Sequence, residues 1–486
     1  MTADPVEITR VPSGVEGLDA VTGGGLPAER VTLVSGTAGS GKTLVAVQFL
    51  AEGIARRDET GVFVSFEERP AEIARNFRSF GWDIEAWCDA GSWAFVDASP
   101  DVGGDVVVSG AYDLSALVLR VKHAVEQVGA RRVAIDSTGS LIDQLGNTQV
   151  ARRALLQIAG ELQRLGVTTV MTAERPDDFG AVSRFGFEEF VADNVVILRN
   201  ALAAEKRRRT VEVLKLRGGN HLKGEHLFTI RSGRGMIVVP QELLNFGYAS
   251  SSERVSSGIP ALDRMCNGGL LARSLILASG PTGVGKSILA SQFVAGARSG
   301  ERGLLFSFEE SRDQLFRNAE ACGIDFERLE AAGSLRVVAQ APEAASLEDH
   351  LLHLKSEMAD FGPDRVAVDS LSALHRVASM TSFREYLMGL SFHIKAGALL
   401  GLLTATAGDV SGADLSDGLH MSTVADVVIV MQYVADHGQV GRAINVLKLR
   451  GSDHDKDIRS FAIDDGGLQI GERMDLRAWR VLPEVL

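Results

Sequence analysis

The chain has 486 residues, of which 45% are hydrophobic and 23% charged, the balance of a globular protein. Its net charge of −13 argues against tight nucleic-acid binding, because neutralising phosphates supplies most of that affinity. No apolar run reaches the roughly 18 residues that a membrane span needs, and the first residues lack the basic start and apolar core of a signal peptide. The three cysteines (Cys88, Cys266 and Cys322) have no metal or disulfide spacing, so we expect reduced thiols and a cytoplasmic location.

The first informative segment in chain order is residues 36–43, GTAGSGKT, which match G-x-x-x-x-G-K-[ST]. An apolar run at residues 31–34 precedes the motif and a helical pattern follows it, which is the strand–loop–helix context that the motif requires. In such a loop, backbone N–H groups surround the β-phosphate, the lysine reaches the β and γ oxygens, and the hydroxyl ligates Mg²⁺. The N-terminus of the helix adds partial positive charge. The predicted contacts with the nucleotide, ATP, are Thr37, Ala38, Gly39, Ser40, Gly41, Lys42, Thr43 and Leu44.

Carboxylates follow two further apolar runs, with Glu67 and Glu68 after the first and Asp136 after the second. In a mostly parallel α/β sheet, ligands lie beyond the carboxyl ends of the strands, so these groups can meet at one nucleotide. Asp136 fits the support of Mg²⁺, although an aspartate after a strand also caps helices. A glutamate near the γ-phosphate can polarise a water or a hydroxyl, and which member of the pair is the base stays open.

Two basic features come late in this half. Lys206-Arg207-Arg208-Arg209 is expected to be a solvated turn between strands at residues 194–199 and 210–215; the alternative is that it faces an acidic neighbouring subunit. Lys215 and Arg217 alternate on a predicted strand and therefore point to one face. A cation that stabilises γ-phosphate charge is commonly supplied by a neighbouring subunit. We therefore expect a ring with the nucleotide at subunit interfaces.

All these features recur in the second half in the same order. The second loop is residues 280–287, GPTGVGKS, with expected contacts at Thr282, Gly283, Val284, Gly285, Lys286, Ser287 and Ile288. The counterparts of the carboxylates and cations are Glu309, Glu310, Asp369, Lys448 and Arg450. The repeat, with strands alternating with helical patterns, predicts an α/β protein of two tandem domains. We place these domains at residues 1–240 and 255–486, with a linker at 241–254.

These residues make the chain resemble the double-domain KaiC family, circadian clock ATPases and autokinases of the RecA-like superfamily. The most specific stretches are residues 185–200, 371–374 and 442–446. The resemblance implies two tandem RecA-like P-loop NTPase domains, each a mostly parallel sheet flanked by helices. It also implies a two-tier homohexamer that binds ATP and Mg²⁺. The first tier would be a slow ATPase, and the second a Ser/Thr autokinase and autophosphatase.

The resemblance further implies site residues. The phosphosites would be Ser422 and Thr423, which from the residues alone read as a turn or helix cap, and Glu309 or Glu310 would be the kinase base. Arg384 matches a family arginine near the interface. The metal would be held by Thr43, Asp136, Ser287, Glu309 and Asp369. The remaining nucleotide contacts would be Ser79, Lys215, Leu216, Arg217, Gly219 and His221 in the first tier, and Arg442, Lys448, Leu449, Arg450, Ser452, Asp453 and His454 in the second.

The chain departs from the family pattern in three places. It stops at Leu486 without the polar tail that the activator KaiA grips, so regulation by KaiA is not expected. Cys322 stands where the clock protein has an aromatic residue beside the second nucleotide, and the loop after Gly408 differs. Residues 110–117 match the region where KaiB docks, so a KaiB-like partner on the first domain is expected. Together these features suggest an hourglass timer or a stress regulator.

Two other classes of function stay open. A RecA-like nucleic-acid motor would need a basic loop between Asp136 and Lys215, but the charges there are of mixed sign. An ATP-gated signalling scaffold would bind nucleotide in its second half without kinase activity. Mapping phosphate after incubation with Mg-ATP distinguishes the scaffold from the kinase.

Overall fold

The computed structural model describes residues 8–99, 114–203, 206–240, 251–297, 300–406, 421–436, 439–474 and 480–481. The chain divides into two compact units, Met1–Glu242 and Leu243–Leu486, and each is described by itself. Of the predicted linker, residues 241–250 lie outside the described ranges.

The first unit alternates strands and helices along the described residues. Its strands are β1 (Arg10–Val11), β2 (Leu26–Pro27), β3 (Val31–Gly36), β4 (Gly61–Ser65), β5 (Trp93–Asp97), β6 (Arg132–Asp136), β7 (Thr168–Glu174), β8 (Asn194–Ala203), β9 (Lys206–Leu216), β10 (Glu225–Arg231) and β11 (Gly235–Val239). Its helices are α1 (Leu18–Val21), α2 (Lys42–Arg57), α3 (Pro70–Phe77), α4 (Ile84–Asp89), α5 (Leu114–Val128), α6 (Thr138–Leu145), α7 (Thr148–Arg164) and α8 (Glu188–Val191).

The main sheet of this unit has the order β11-β10-β9-β8-β3-β7-β6-β4-β5. The six strands from β8 to β5 are parallel to their neighbours, and β9 to β11 continue the sheet antiparallel. The central strands are continuous apolar runs because helices cover both faces, as the burial of Leu33, Val64 and Ile135 shows. One core cluster lies against α5 and α7, and the other against α2 and α3.

The second unit is built in the same way. Its strands are β12 (Arg254–Val255), β13 (Leu270–Leu271), β14 (Leu275–Ser279), β15 (Gly303–Ser307), β16 (Leu335–Ala339), β17 (Arg365–Asp369), β18 (Leu400–Ala405), β19 (Val427–Asp436), β20 (Gln439–Leu449), β21 (Arg459–Asp464), β22 (Gly467–Arg473) and β23 (Arg480–Val481). Its helices are α9 (Pro260–Met265), α10 (Lys286–Ala295), α11 (Arg312–Glu320), α12 (Phe326–Ala331), α13 (Leu347–Phe361), α14 (Leu371–Arg376), α15 (Met380–Ala396) and α16 (Met421–Val424).

The two units share one topology. The second sheet runs β16-β15-β17-β18-β14-β19-β20-β21-β22, with β23 beside β19, which repeats the first order strand for strand. In both, the strand that leads into the phosphate loop is central, between two parallel neighbours. This confirms the predicted fold class of two tandem RecA-like domains. Across the described ranges, no helix combines the length and apolar character needed to cross a bilayer.

One local prediction is wrong. Lys206-Arg207-Arg208-Arg209 does not form a turn but begins β9, which pairs with β8 as far as Ala203. The strand accommodates these charges because side chains on it find partners on neighbouring strands, as Arg207 does at the carbonyl of Asn200. Arg208, for example, pairs with Glu225 of β10 at 3.3 Å.

Candidate nucleotide sites and phosphoacceptor segment

Each phosphate loop is shaped by glycines at the edge of its central strand. In the first unit, Gly39 and Gly41 have φ values of 73° and 97°, the left-handed region that side chains rarely adopt. A Cβ on Gly36 would lie 2.8 Å from the carbonyl oxygen of Leu198, and one on Gly280 would lie 2.4 Å from that of Met431. Both units therefore need glycine at the loop's first position, where it packs against the neighbouring strand.

The loop lysines close onto their own loops. Lys42 Nζ donates to the carbonyl oxygen of Thr37 at 3.1 Å, and Lys286 Nζ donates to those of Gly280 and Pro281 at 2.7 and 2.9 Å. Burial lowers the pKa of both lysines, while the carboxylates nearby act in the opposite direction. Each ammonium is thus partly desolvated at the start of α2 or α10, where a phosphate would provide its counter-charge.

Asp136 and Asp369 are buried beside these loops at the ends of β6 and β17. Asp136 accepts hydrogen bonds from Thr43 Oγ1, at 2.9 Å, and from Thr172. Thr404 donates to one oxygen of Asp369, while the other, Oδ2, is buried without a hydrogen-bond partner among the described residues. Burial raises the pKa of both aspartates.

This donor set fits Mg²⁺. The metal prefers oxygen ligands and is usually held by one or two carboxylates together with substrate phosphates. A loop hydroxyl and a buried carboxylate provide such oxygens in each unit, and the unpartnered Oδ2 of Asp369 is an acceptor for a cation or its water. Within the described ranges there is no cluster of three or more His, Cys, Asp or Glu side chains of the kind that holds a metal by protein ligands alone.

The paired glutamates have separate surroundings. In the first unit, the hydroxyls of Ser137 and Ser140 both donate to Glu67, whereas Glu68 accepts from Asn76 Nδ2 at 3.0 Å. Ser137 directly follows Asp136, so Glu67 is the member of its pair that lies near the loop and its aspartate.

The second unit repeats the separation with a different partner. Glu310 accepts from Asn318 Nδ2 at 2.8 Å, and Glu309 pairs with Arg376 at 3.5 Å. Arg376, at the end of α14, was missed in the sequence because its counterpart in the first unit is an acid, Asp143, which pairs with Arg184. A comparison of the two halves for repeated residues therefore does not reveal Arg376.

We call Lys215 and Arg217 of the first unit, and Lys448 and Arg450 of the second, the late cations. Among the described residues, no hydrogen bond or ion pair joins them to the phosphate loop of their own unit. Lys215 Nζ donates to the carbonyl oxygens of Glu189 and Ala192, and Arg217 pairs with Asp193 at 3.3 Å. Both cations therefore contact the end of α8 or the two residues that follow it.

The equivalent contacts in the second unit involve the predicted phosphosites. Lys448 Nζ donates to the carbonyl oxygens of Ser422 and Ala425, both at 2.7 Å, and Arg450 donates to that of Thr423 at 2.8 Å. Ser422 is half-buried in α16 and Thr423 is exposed. The segment that carries Ser422 and Thr423 and the cations Lys448 and Arg450 therefore form one surface.

Each unit also has an aspartate, not predicted from the sequence, that binds these cations. Asp193 accepts from the side chains of Arg30, Gln163 and Arg217. Asp426 accepts from that of Lys395 and forms an ion pair with Arg450 at 3.5 Å. Each also accepts a hydrogen bond from the backbone at the start of the central strand. The recurring Ala-Asp pair in front of β8 and β19 was the available signal.

Other predicted site residues lie outside the two phosphate loops. The Ser79 carbonyl accepts from Gly233 N at 3.1 Å, Ser452 accepts from Arg254 and Arg384 is exposed on α15. Cys322 is buried at the end of α11, and burial raises its thiol pKa. Predictions for residues 110–113 and for the loop after Gly408 fall outside the described residues.

The chain is similar over most of its length to proteins of a known family. Residues 11–243 and 255–475 each match the family model of the KaiC ATPase. The chain belongs to the KaiC family. Circadian clock protein KaiC3 of Synechocystis sp. is 49% identical over 467 residues, which cover 96% of this chain and 92% of that protein.

Proteins named circadian clock oscillator protein KaiC are similar to the same extent. That of Thermostichus vulcanus is 50% identical over 465 residues, covering 96% of this chain and 89% of its own. That of Synechococcus elongatus is 49% identical, covering 95% and 89%. Membership in the KaiC family makes this chain an ATPase-family protein, with ATP as the expected nucleotide of its two P-loops.

Proposed function

We propose that this protein is a KaiC-like ATPase and Ser/Thr autokinase and autophosphatase that works as a two-tier homohexamer in a timing or signalling system. One observation carries the proposal: Lys448 and Arg450, the cations expected at a neighbour's nucleotide, bind the backbone of the segment that carries Ser422 and Thr423. If these cations meet the γ-phosphate bound to a neighbouring subunit, the hydroxyls of Ser422 and Thr423 would come close to the same phosphate.

The residues of the second unit have roles that suit phosphoryl transfer, which needs positioning and charge neutralisation more than covalent chemistry. The loop backbone and Lys286 would hold the β and γ oxygens. Ser287 and Asp369 would hold Mg²⁺, which when bound neutralises phosphate charge. Glu309 would accept the proton of the attacking hydroxyl, since it is the member of the pair whose charge acts on the loop lysine Lys286.

The first unit would hydrolyse ATP instead of phosphorylating itself. Its segment at the same position carries Glu189 and Phe190, which offer no hydroxyl. Glu67, which is held by two serines, would orient the attacking water. A KaiB-like partner, independence from KaiA, a cytoplasmic location and the absence of nucleic-acid partners stay predictions from the sequence.

The test is to incubate the full-length protein with Mg-ATP and map phosphate by mass spectrometry. We expect phosphate on Ser422 and Thr423, its loss in a Ser422→Ala/Thr423→Ala variant, and a drop of about a hundredfold in its rate in Glu309→Gln, at the lower end for a general base. Thr381→Ala, an exposed hydroxyl on α15, is the matched control. An active ATPase without phosphate at either site would refute the kinase and leave the signalling scaffold.

A further inference from the structure

The two units place different residues at one backbone position. Lys215 bonds to the carbonyls of Glu189 and Ala192, and Lys448 bonds in the same way to those of Ser422 and Ala425. Glu189 is therefore the structural counterpart of Ser422. The first unit has a carboxylate where the second has a hydroxyl, the proposed phosphosite.

The Glu189 side chain accepts a hydrogen bond from within its own unit. Ser183 Oγ lies 2.5 Å from Glu189 Oε2 and 2.8 Å from Glu188 Oε2, so its single hydroxyl hydrogen is shared between two carboxylates. Ser183 and Glu188 are fully buried, and Glu188 also accepts from Phe187 N at 3.1 Å. Hydrogen bonds to ionised acceptors are roughly twice as strong as neutral ones. The carboxylates thus fix residue 183 to helix α8.

Ser183 belongs to the loop of residues 175–187, which contacts the first phosphate loop. Thr37 Oγ1 donates to Asp178 at 2.9 Å, Arg175 N donates to the Gly36 carbonyl at 3.1 Å, and Ser35 donates to the carbonyl of Val182. One end of the 175–187 loop is therefore bonded to the nucleotide loop and the other to α8.

Arg175 makes this loop stiff enough to transmit such a restraint. Its guanidinium is buried and donates to the carbonyls of Gly180 and Ala181, both at 2.9 Å. The loop is thus folded around an internal cation, and a shift of Ser183 has to move Val182 and its bond to Ser35.

We propose that Glu189 is a positioning residue for the first nucleotide site, acting through Ser183 and the 175–187 loop on Thr37 and Gly36. The first unit would hold its nucleotide loop with a carboxylate at the backbone position where the second unit has Ser422. The inference rests on the proposed function in one respect, that the first P-loop binds nucleotide.

The experiment uses the full-length protein with Lys286→Ala, so that nucleotide kinetics report on the first site. Release of a fluorescent ADP and the KM and kcat of ATP hydrolysis are measured for Glu189→Ala, Glu189→Gln and Ser183→Ala. Glu126→Gln, an exposed glutamate on α5, is the matched control and should behave like the parent.

We expect Glu189→Ala and Ser183→Ala each to speed ADP release and raise KM by about tenfold, since each removes a hydrogen bond to a charged group. Glu189→Gln keeps an acceptor oxygen and should lie between these and the parent, at about threefold. The double variant Ser183→Ala/Glu189→Ala should be no worse than Ser183→Ala alone, because Ser183→Ala already removes the bond to Glu189 together with the bond to Glu188.

Normal release and KM in all three variants would overturn the inference while leaving the nucleotide site intact, and so would additive effects in the double variant. If Glu189→Ala does not fold, the Gln and Ser183→Ala variants decide the matter alone. A parent protein that binds no ADP would overturn the proposed function of the first P-loop, and with it this inference.

Discussion

At the scale of single residues, burial sets the charge properties of the site. Lys42 and Lys286 have pKa values lowered by burial, and Asp136 and Asp369 have pKa values raised by it. Each lysine is drawn back toward its normal range by the carboxylates beside it, so cation and anion stabilise each other's charge. A phosphate and its cation would replace these internal partners when nucleotide binds.

A half-buried histidine gives a residue-scale prediction. Burial lowers the pKa of His393 on α15 to about 4, and Lys355 acts in the same direction. The unfolded chain, with a pKa near 6.5, then binds more protons between about pH 6.5 and 4, so the second unit should lose stability as pH falls through that window. At about 1.4 kcal/mol per unit of pKa, the loss approaches about 3 kcal/mol.

Hydrogen exchange of α15 amides at pH 7 and pH 5, corrected for intrinsic rates, measures this loss. His393→Gln should abolish most of the pH dependence, whereas His123→Gln, an exposed histidine on α5, should not change it. Equal pH dependence in wild type and His393→Gln would contradict the assignment.

At the scale of elements, α8 and α16 are short helices held by the same lysine contact but with different additional support. In α8, Glu188 and Glu189 add bonds to Ser183, while α16 is held at its end by Lys448 and Arg450. Helices of one turn are not stable alone, so such tertiary contacts decide whether they form.

Removing the lysine should therefore affect the two helices unequally. Lys448→Met leaves the carbonyls of Ser422 and Ala425 without their donor and should speed amide exchange in α16 by at least about tenfold, the value of one of the two bonds lost. Lys215→Met should have a smaller effect on α8, which the Ser183 contacts still restrain. Lys456→Met, whose side chain is 79% exposed, is the control. Larger exchange in α8 than in α16 would contradict this ranking.

At the scale of the whole molecule, two units of one topology differ in the residues around equivalent loops. Glu67 is held by serines and Glu309 by an arginine, and a glutamate and a phenylalanine replace the Ser-Thr pair in the first unit. A shared fold does not imply a shared activity, because function depends on the site residues.

The loop lysines should separate the two activities. Lys42→Ala should weaken ring assembly and ATP hydrolysis, and Lys286→Ala should mainly abolish phosphorylation, since each removes the cation that reaches the β and γ oxygens of its own site. Sizing with and without ATP, a phosphate-release assay and phosphate mapping measure the three properties. Equal loss of assembly and phosphorylation in both variants would refute the division of labour.

The sequence by itself determined the features that depend on contiguous residues. Both phosphate loops, their strand–loop–helix context and the strand-end carboxylates could be predicted because a glycine-rich motif needs only its own neighbours to adopt its shape. The fold class followed from the repeat and from the alternation of strands and helices.

Only the tertiary structure decided which distant side chains meet. The extent of the β8–β9 hairpin, the pairing of Arg376 with Glu309 and the organising role of Asp193 and Asp426 depend on packing between elements far apart in the chain. The match of Glu189 with Ser422 is of the same kind, since it is defined by the lysines that bind their carbonyls. Such contacts arise from the arrangement of strands in the sheet, which spacing along the chain does not specify.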